Sequence, residues 1–297
     1  MESTDGRTGP RIRPLTAQDL PGALALSASA HWNQCEADWR MLLVLGQGWG
    51  VNAAALDGRE QLAASIVILP YGNDFAWVSM VLVLPEFQRR GFAQQLLRHA
   101  LGMLASRGMA GLLDATPAGH AVYLQEGFRD TWGFARYRRE RRDADGPVPA
   151  RRSRPATRSV CNDDWPAIEA IDAPAFGASR LPLLHALAQR LPAAARVVEE
   201  GGRVRGFVFG RPGREATQIG PLVAADADTA TALIADVLRE VHADVYVDLL
   251  DSRRDMLPWL EAQGFALQRP FTRMVHGAAS APGDPASIVL VAGPELG

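Results

Sequence analysis

Residues 75 to 108 read in order as an apolar strand, a turn carrying two arginines and a glycine, and an amphipathic helix with its stop. Phe75-Ala76-Trp77-Val78-Ser79-Met80-Val81-Leu82-Val83-Leu84 is rich in strand formers and too continuous to have one wet face, so it belongs in the middle of a sheet. Beyond Ala93, the residues Leu96, Leu97, Ala100, Leu101 and Leu104 recur at steps of three and four, opposite Gln94, Gln95, Arg98 and His99; Arg107-Gly108 ends the helix. Between strand and helix stands Gln88-Arg89-Arg90-Gly91-Phe92-Ala93. Gly91 can take a positive φ that turns backbone N–H groups into a concave bend, and the helix adds its unpaired first-turn donors and positive dipole end. Such a bend takes an anion and suits a diphosphate. Other phosphate loops are excluded, because no GxGxxG follows a strand and a G-x-x-x-x-G-K-[ST] loop cannot exist in a chain without lysine.

A second strand-to-helix passage follows. Gly111-Leu112-Leu113-Asp114 is a short apolar strand, Thr116 can cap a helix, Pro117 suits its first position, and Gly127 ends it. Tyr123 therefore lies on a helix just past a second strand end.

The chain has 297 residues, enough for two domains that each bury a core. A net charge of −2 gives no general pull towards nucleic acid or a membrane, and all 31 basic residues are arginine, which excludes acylation of its own lysines. Cys35 and Cys161 fall in different halves with no metal-binding spacing, so neither a disulfide framework nor a metal site is expected. Residues 1–9 are polar, with no leader-like apolar stretch, and no apolar run reaches membrane length, which points to the cytoplasm.

The two halves repeat one another. Leu20-Pro21 and Ala23 to Leu26 match Trp165-Pro166 and Ala167 to Ile171; the strand pair about Asp57-Gly58-Arg59 matches that about Glu200-Gly201-Gly202; Leu112-Leu113-Asp114 with Gly127-Phe128 matches Tyr246-Val247-Asp248 with Gly264-Phe265. Helices and strands alternate in each, which predicts an α/β fold: two tandem domains, each a mixed sheet flanked by helices. The expected divisions are a disordered segment 1–9, a first domain 10–140, an arginine- and proline-rich linker 141–157, a second domain 158–276 and a tail 277–297, in which residues 286–292 can form a last strand. The repeat fails at the turn. After Gln218-Ile219-Gly220-Pro221-Leu222-Val223 come Ala224-Ala225-Asp226-Ala227-Asp228, where two carboxylates replace the arginines and glycine, and Asp226 or Asp228 makes a helix cap. Trp259, which cannot donate a proton, is what the second half offers in place of Tyr123.

Gln88-Arg89-Arg90-Gly91-Phe92-Ala93 fits every position of the Gln/Arg-x-x-Gly-x-Gly/Ala signature, and Tyr123 followed by Gly127-Phe128 fits a second segment, so the chain resembles the GNAT superfamily of acyl-CoA-dependent N-acetyltransferases. Nearly the whole chain is similar to bacterial tandem-GNAT proteins with an intact first domain and a degenerate second one. The resemblance implies acetyl-CoA as co-substrate and no metal. It implies that pantetheine lies along Val81, Leu82 and Val83, that Gln88, Arg89, Arg90, Gly91, Phe92, Ala93 and Gln94 hold the diphosphate, and that Thr116 faces the acyl-carrying arm. Tyr123 would protonate the departing thiolate. The acceptor, a small-molecule amine, would meet Trp32, Asn33, Glu36 and Asp114. The general base stays open among Asp114, Glu36, Asp38, His120 and a water chain. An acyl-CoA-binding regulatory module without turnover and a protein N-acetyltransferase are alternative readings, and homodimer formation is left open. No nucleic-acid or membrane partner is expected.

Overall fold

A computed structural model describes residues 11–55, 58–141 and 155–297. The expected disorder of residues 1–9, Asp57 of the first hairpin turn and most of the expected linker lie outside them. The first half contains β1 (Ile12–Pro14), α1 (Leu20–Ser29), α2 (Glu36–Leu45), β2 (Gln47–Ala54), β3 (Glu60–Tyr71), β4 (Phe75–Val83), α3 (Phe92–Ser106), β5 (Ala110–Ala115), α4 (Pro117–Gln125) and β6 (Arg129–Arg139). The second repeats the series as β7 (Thr157–Ser159), α5 (Trp165–Phe176), α6 (Leu181–Arg190), β8 (Arg196–Glu200), β9 (Arg203–Arg211), β10 (Thr217–Ala224), α7 (Ala227–Glu240), β11 (Val245–Leu250), α8 (Leu257–Ala262) and β12 (Phe265–His276). A last strand, β13 (Ile288–Leu290), follows. Fold class and repeat are as the alternation predicts.

The two sheets are one. Among the described residues, thirteen strands run in the order β1-β2-β3-β4-β5-β12-β6-β11-β13-β10-β9-β8-β7. The final strands of the halves have changed places: β12 of the second half pairs with β5 of the first, and β6 of the first pairs with β11 of the second. They meet antiparallel at the centre, where Phe134 stands opposite Phe271 and the two rings stack at 5.0 Å. The exchange follows from matching sequences, since Gly127-Phe128 leads to Phe134-Ala135-Arg136 at the same spacing as Gly264-Phe265 leads to Phe271-Thr272-Arg273. Each arginine reaches the aspartate of the other half: Arg273 clasps Asp114 through 2.8 and 2.9 Å bonds, and Arg136 clasps Asp248 through two of 2.8 Å.

A second device is shared. The pairing of β4 with β3 shifts register about Met80, whose φ is 51°, and that of β10 with β9 shifts about Gly220. These bulges bend each strand away from its parallel neighbour. β4 pairs with β5 only over Phe75 to Trp77, and β10 with β11 only over Thr217 to Ile219. Beyond those residues each half opens into a wedge. The halves also share a core, in which Phe176 of α5 packs edge-on against Tyr71 of β3 at 4.6 Å.

Candidate active site

The turn after β4 has the form its sequence predicts. Gly91 adopts φ 80°, Arg89 also lies at positive φ, and α3 begins at Phe92. Among the described residues, no backbone amide from Arg89 to Gln94 finds an acceptor in the chain; the next, that of Gln95, bonds the Gly91 carbonyl at 3.0 Å. A row of unpaired N–H groups at the start of a four-turn helix is the donor array that a diphosphate requires. A Cβ on Gly91 would meet only the Gln95 side chain, at 3.9 Å, so nothing overhangs the bend. Gln88, Arg89 and Arg90 are exposed, whereas the Leu82 and Phe92 side chains are buried and leave only their main chain to a ligand. Arg90 lies over the Phe87 ring and bonds the Glu86 carbonyl at 2.9 Å. Gln94 has a different employment, bonding Glu126 beside Arg98 and so tying α3 to α4.

The wedge between β4 and β5 is a cleft. Val81, Thr116 and Tyr123 line it. Thr116 caps α4 by accepting the Gly119 amide. Tyr123 packs its ring on Phe128, and its hydroxyl has no protein partner among the described residues. Burial pushes its phenol up to about 12, so it keeps its proton across the physiological range.

The acceptor-side expectations fare unevenly. Trp32 and Asn33 border the cleft, but the Asn33 amide is engaged elsewhere: its Oδ1 accepts from the amides of Glu215 and Ala216, and its Nδ2 donates to the Ala216 carbonyl. It latches the α1–α2 connection to the β9–β10 loop. Glu36 is not at the cleft; it stands on the exposed first turn of α2, paired with Arg40. Asp114 is on the cleft wall, yet both its oxygens are taken by Arg273, which is itself sandwiched at 4.3 and 4.0 Å from the Trp77 and Trp132 rings. Burial raises the Asp114 carboxyl, and Arg273 offsets this only in part. As a general base Asp114 and Glu36 are both poorly placed. Asp38 is also spent: burial pushes its carboxyl up, but Arg211 and Arg190 outweigh this and hold it below the usual carboxylate range. His120 pairs with Asp130 at 2.7 Å beside a different cleft.

The missing wall comes from the far end of the chain. Pro294 and Glu295 line the same cleft, as does Arg269 of β12. This segment is bound tightly: Trp77 donates to the Pro294 carbonyl at 2.9 Å, Tyr71 to that of Leu296 at 2.5 Å, and Arg211 pairs with Glu295. Ser79 and Gln34 complete the polar lining. Ser79 was visible in the sequence as a polar residue within an apolar strand. The Glu295 contact carried no sequence signal, because it depends on where residues 288–297 return.

They return through the other wedge. β13 stands between β10 and β11, with Leu290 opposite both Leu222 and Leu249, and Val291 donates to the Asp248 carbonyl. A Cβ on Gly220 would lie 2.1 Å from the Val291 oxygen, so only glycine admits so close a strand. The turn after β10 carries no open cradle: Asp226 caps α7 by accepting the Thr229 amide at 2.7 Å. Among the described residues no cluster of metal-binding side chains occurs, and no helix is long and apolar enough to cross a membrane.

Among curated proteins nothing matches the sequence. Solved structures do match in fold. A proposed acetyltransferase from Pyrococcus horikoshii is 19% identical with a TM-score of 0.79, covering 100% of this chain and 99% of that one. A GCN5-related N-acetyltransferase from Sphaerobacter thermophilus is 17% identical at a TM-score of 0.63, over 93% and 98%. A tandem GNAT protein from the clavulanic acid biosynthesis pathway is 16% identical at 0.63, over 92% and 100%. Two acetyltransferase (GNAT) domain models match residues 49–130 and 168–289, together more than half of the chain. The chain belongs to the GNAT acetyltransferase superfamily and carries two such domains in tandem, the second degenerate at its phosphate turn.

Proposed function

We propose that this protein is an acetyl-CoA-dependent N-acetyltransferase whose first half transfers an acetyl group to a small-molecule primary amine by direct attack. The observation that carries the reading is the asymmetry of the two wedges. One is open and ends at six amides that find no acceptor among the described residues, whereas the other is filled by β13 and ends at a capped helix.

Acetyl-CoA supplies an activated acyl group and a thiolate leaving group. The amides of Arg89 to Gln94, with the exposed Arg89 and Arg90, would hold its diphosphate. Residues 78–83 of β4, whose edge towards β5 has no strand neighbour, would take the pantetheine as an added strand and aim an N–H at the developing oxyanion. The amine nitrogen attacks the carbonyl carbon, a C–N bond forms, the C–S bond breaks, and the surplus ammonium proton leaves to solvent. Tyr123, on the cleft wall, would face the departing sulfur. With a phenol at about 12 against an ordinary thiol near 8.5, it serves the thiolate as a hydrogen-bond donor, full transfer of its proton being uphill. Holding the reactants in line supplies much of the remaining acceleration.

The test is thiol release from acetyl-CoA on addition of amines, with mass spectrometry of a metabolite extract incubated with isotope-labelled acetyl-CoA to name the product. Amine-dependent release is expected, and Tyr123→Phe should lower kcat roughly ten- to hundredfold without changing coenzyme affinity. Coenzyme binding with no turnover on any amine would favour a regulatory binding module.

A further inference from the structure

Among the described residues, three buried side-chain atoms left without a hydrogen-bond partner, Gln34 Oε1, Ser79 Oγ and Glu295 Oε2, belong to residues that line the cleft between β4 and β5. Their residues are 5, 6 and 3% exposed, so open water does not satisfy them. Buried polar atoms are ordinarily paired, and three orphans on residues lining one cleft point to a ligand that supplies the partners. All three can accept, which suits the N–H groups of an amine.

The charges of the lining decide what else the ligand carries. Asp114 is neutralised by Arg273 and Arg136 by Asp248. Glu295 shares its other oxygen with Arg211, which also meets Asp38. Arg269 is left over: it lines the cleft half-buried, with no carboxylate among the described residues within salt-bridge reach, and burial together with Arg136 lowers its pKa. A guanidinium held without a counter-ion beside a second arginine favours an anion and disfavours a further cation.

Resting on the acetyl-transfer reading above, we infer that the acceptor is a small amine bearing a carboxylate or phosphate, its amine held by Ser79, Gln34 and Glu295 and its anionic group by Arg269. The two recognition groups that set this specificity, Arg269 and Glu295, both come from outside the half that holds the coenzyme turn. Polyamines and neutral amines are poor acceptors for such a cleft.

Matched pairs test this: amino acids against their decarboxylated amines, and amino-sugar phosphates against the free amino sugars, each assayed by thiol release. The anionic member of each pair should be preferred by roughly tenfold or more in kcat/KM, and the better family distinguishes carboxylate from phosphate. Arg269→Gln should erase that preference through KM while leaving coenzyme affinity unchanged. Preference for the decarboxylated or dephosphorylated member, or an Arg269→Gln enzyme with the preference intact, overturns the inference. Calorimetry of the same compounds without coenzyme separates the two claims. Anionic amines that bind the wild type but not Arg269→Gln, in a protein that never turns over, uphold the cleft and count against acetyl transfer alone; equal binding to both proteins counts against the cleft.

Discussion

Arg273 lies on a strand that belongs by sequence to the second half of the chain, yet both its bonds to a carboxylate go to Asp114 of the first, at 2.8 and 2.9 Å. Arg136 and Asp248 repeat the arrangement in the opposite sense. All four side chains are almost wholly buried, so removing one partner strands a charge in the sheet. Arg273→Ala is expected to cost about 3–5 kcal/mol in urea unfolding, and the Arg273→Leu/Asp114→Leu double variant less than the sum of the single changes. Additive losses would show that the pair is not coupled.

The strand exchange also fixes how the molecule melts. Neither half can complete its sheet without a strand of the other, so differential scanning calorimetry should give one transition with matching calorimetric and van't Hoff enthalpies. Two separated transitions would contradict the exchange.

Gly220 controls the return of residues 288–297. At φ 143° and with the Val291 oxygen 2.1 Å from where a Cβ would stand, Gly220→Val should expel this segment from the second wedge. Hydrogen exchange over residues 288–296 should rise and acceptor affinity fall, while coenzyme still binds to one site, because the second turn stays capped by Asp226. Unchanged exchange would mean that this approach is not tight.

Acid should destabilise the fold. Arg158, bonded to both oxygens of Asp164 at 2.7 Å, holds that carboxyl down at about 2, and hydrogen bonding to Arg13 likewise lowers Asp19. A carboxyl depressed in the folded state contributes stability above its unfolded pKa of about 3.9 and loses it as pH falls towards the folded value. Tm should therefore drop as pH falls from about 5 towards about 2, less steeply in Asp164→Asn; a flat profile would refute the assignment.

Local chemistry made much of the fold legible in the sequence. The helix from Phe92, the αL glycine at Gly91, the Thr116 and Asp226 caps and the central strand Phe75–Val83 all express short-range rules of periodicity and capping. What it concealed is long-range. Because the halves are alike, β6 and β12 are nearly interchangeable by pattern, and nothing local states that each pairs across the divide. The Asn33 latch and the Glu295 contact join residues 183 and about 180 or more positions apart, respectively to Ala216 and to the β4–β5 wedge, beyond the reach of any spacing rule. Glu36 stands on the exposed first turn of α2, paired with Arg40, while Trp32, four residues earlier, reaches the cleft.

Isothermal titration of coenzyme A into the full chain tests the central claim most directly. One site per chain is expected, abolished by Gly91→Glu, whose carboxylate would stand at the mouth of the amide row. Two tight sites, or a Gly91→Glu protein that binds as the wild type does, would contradict it.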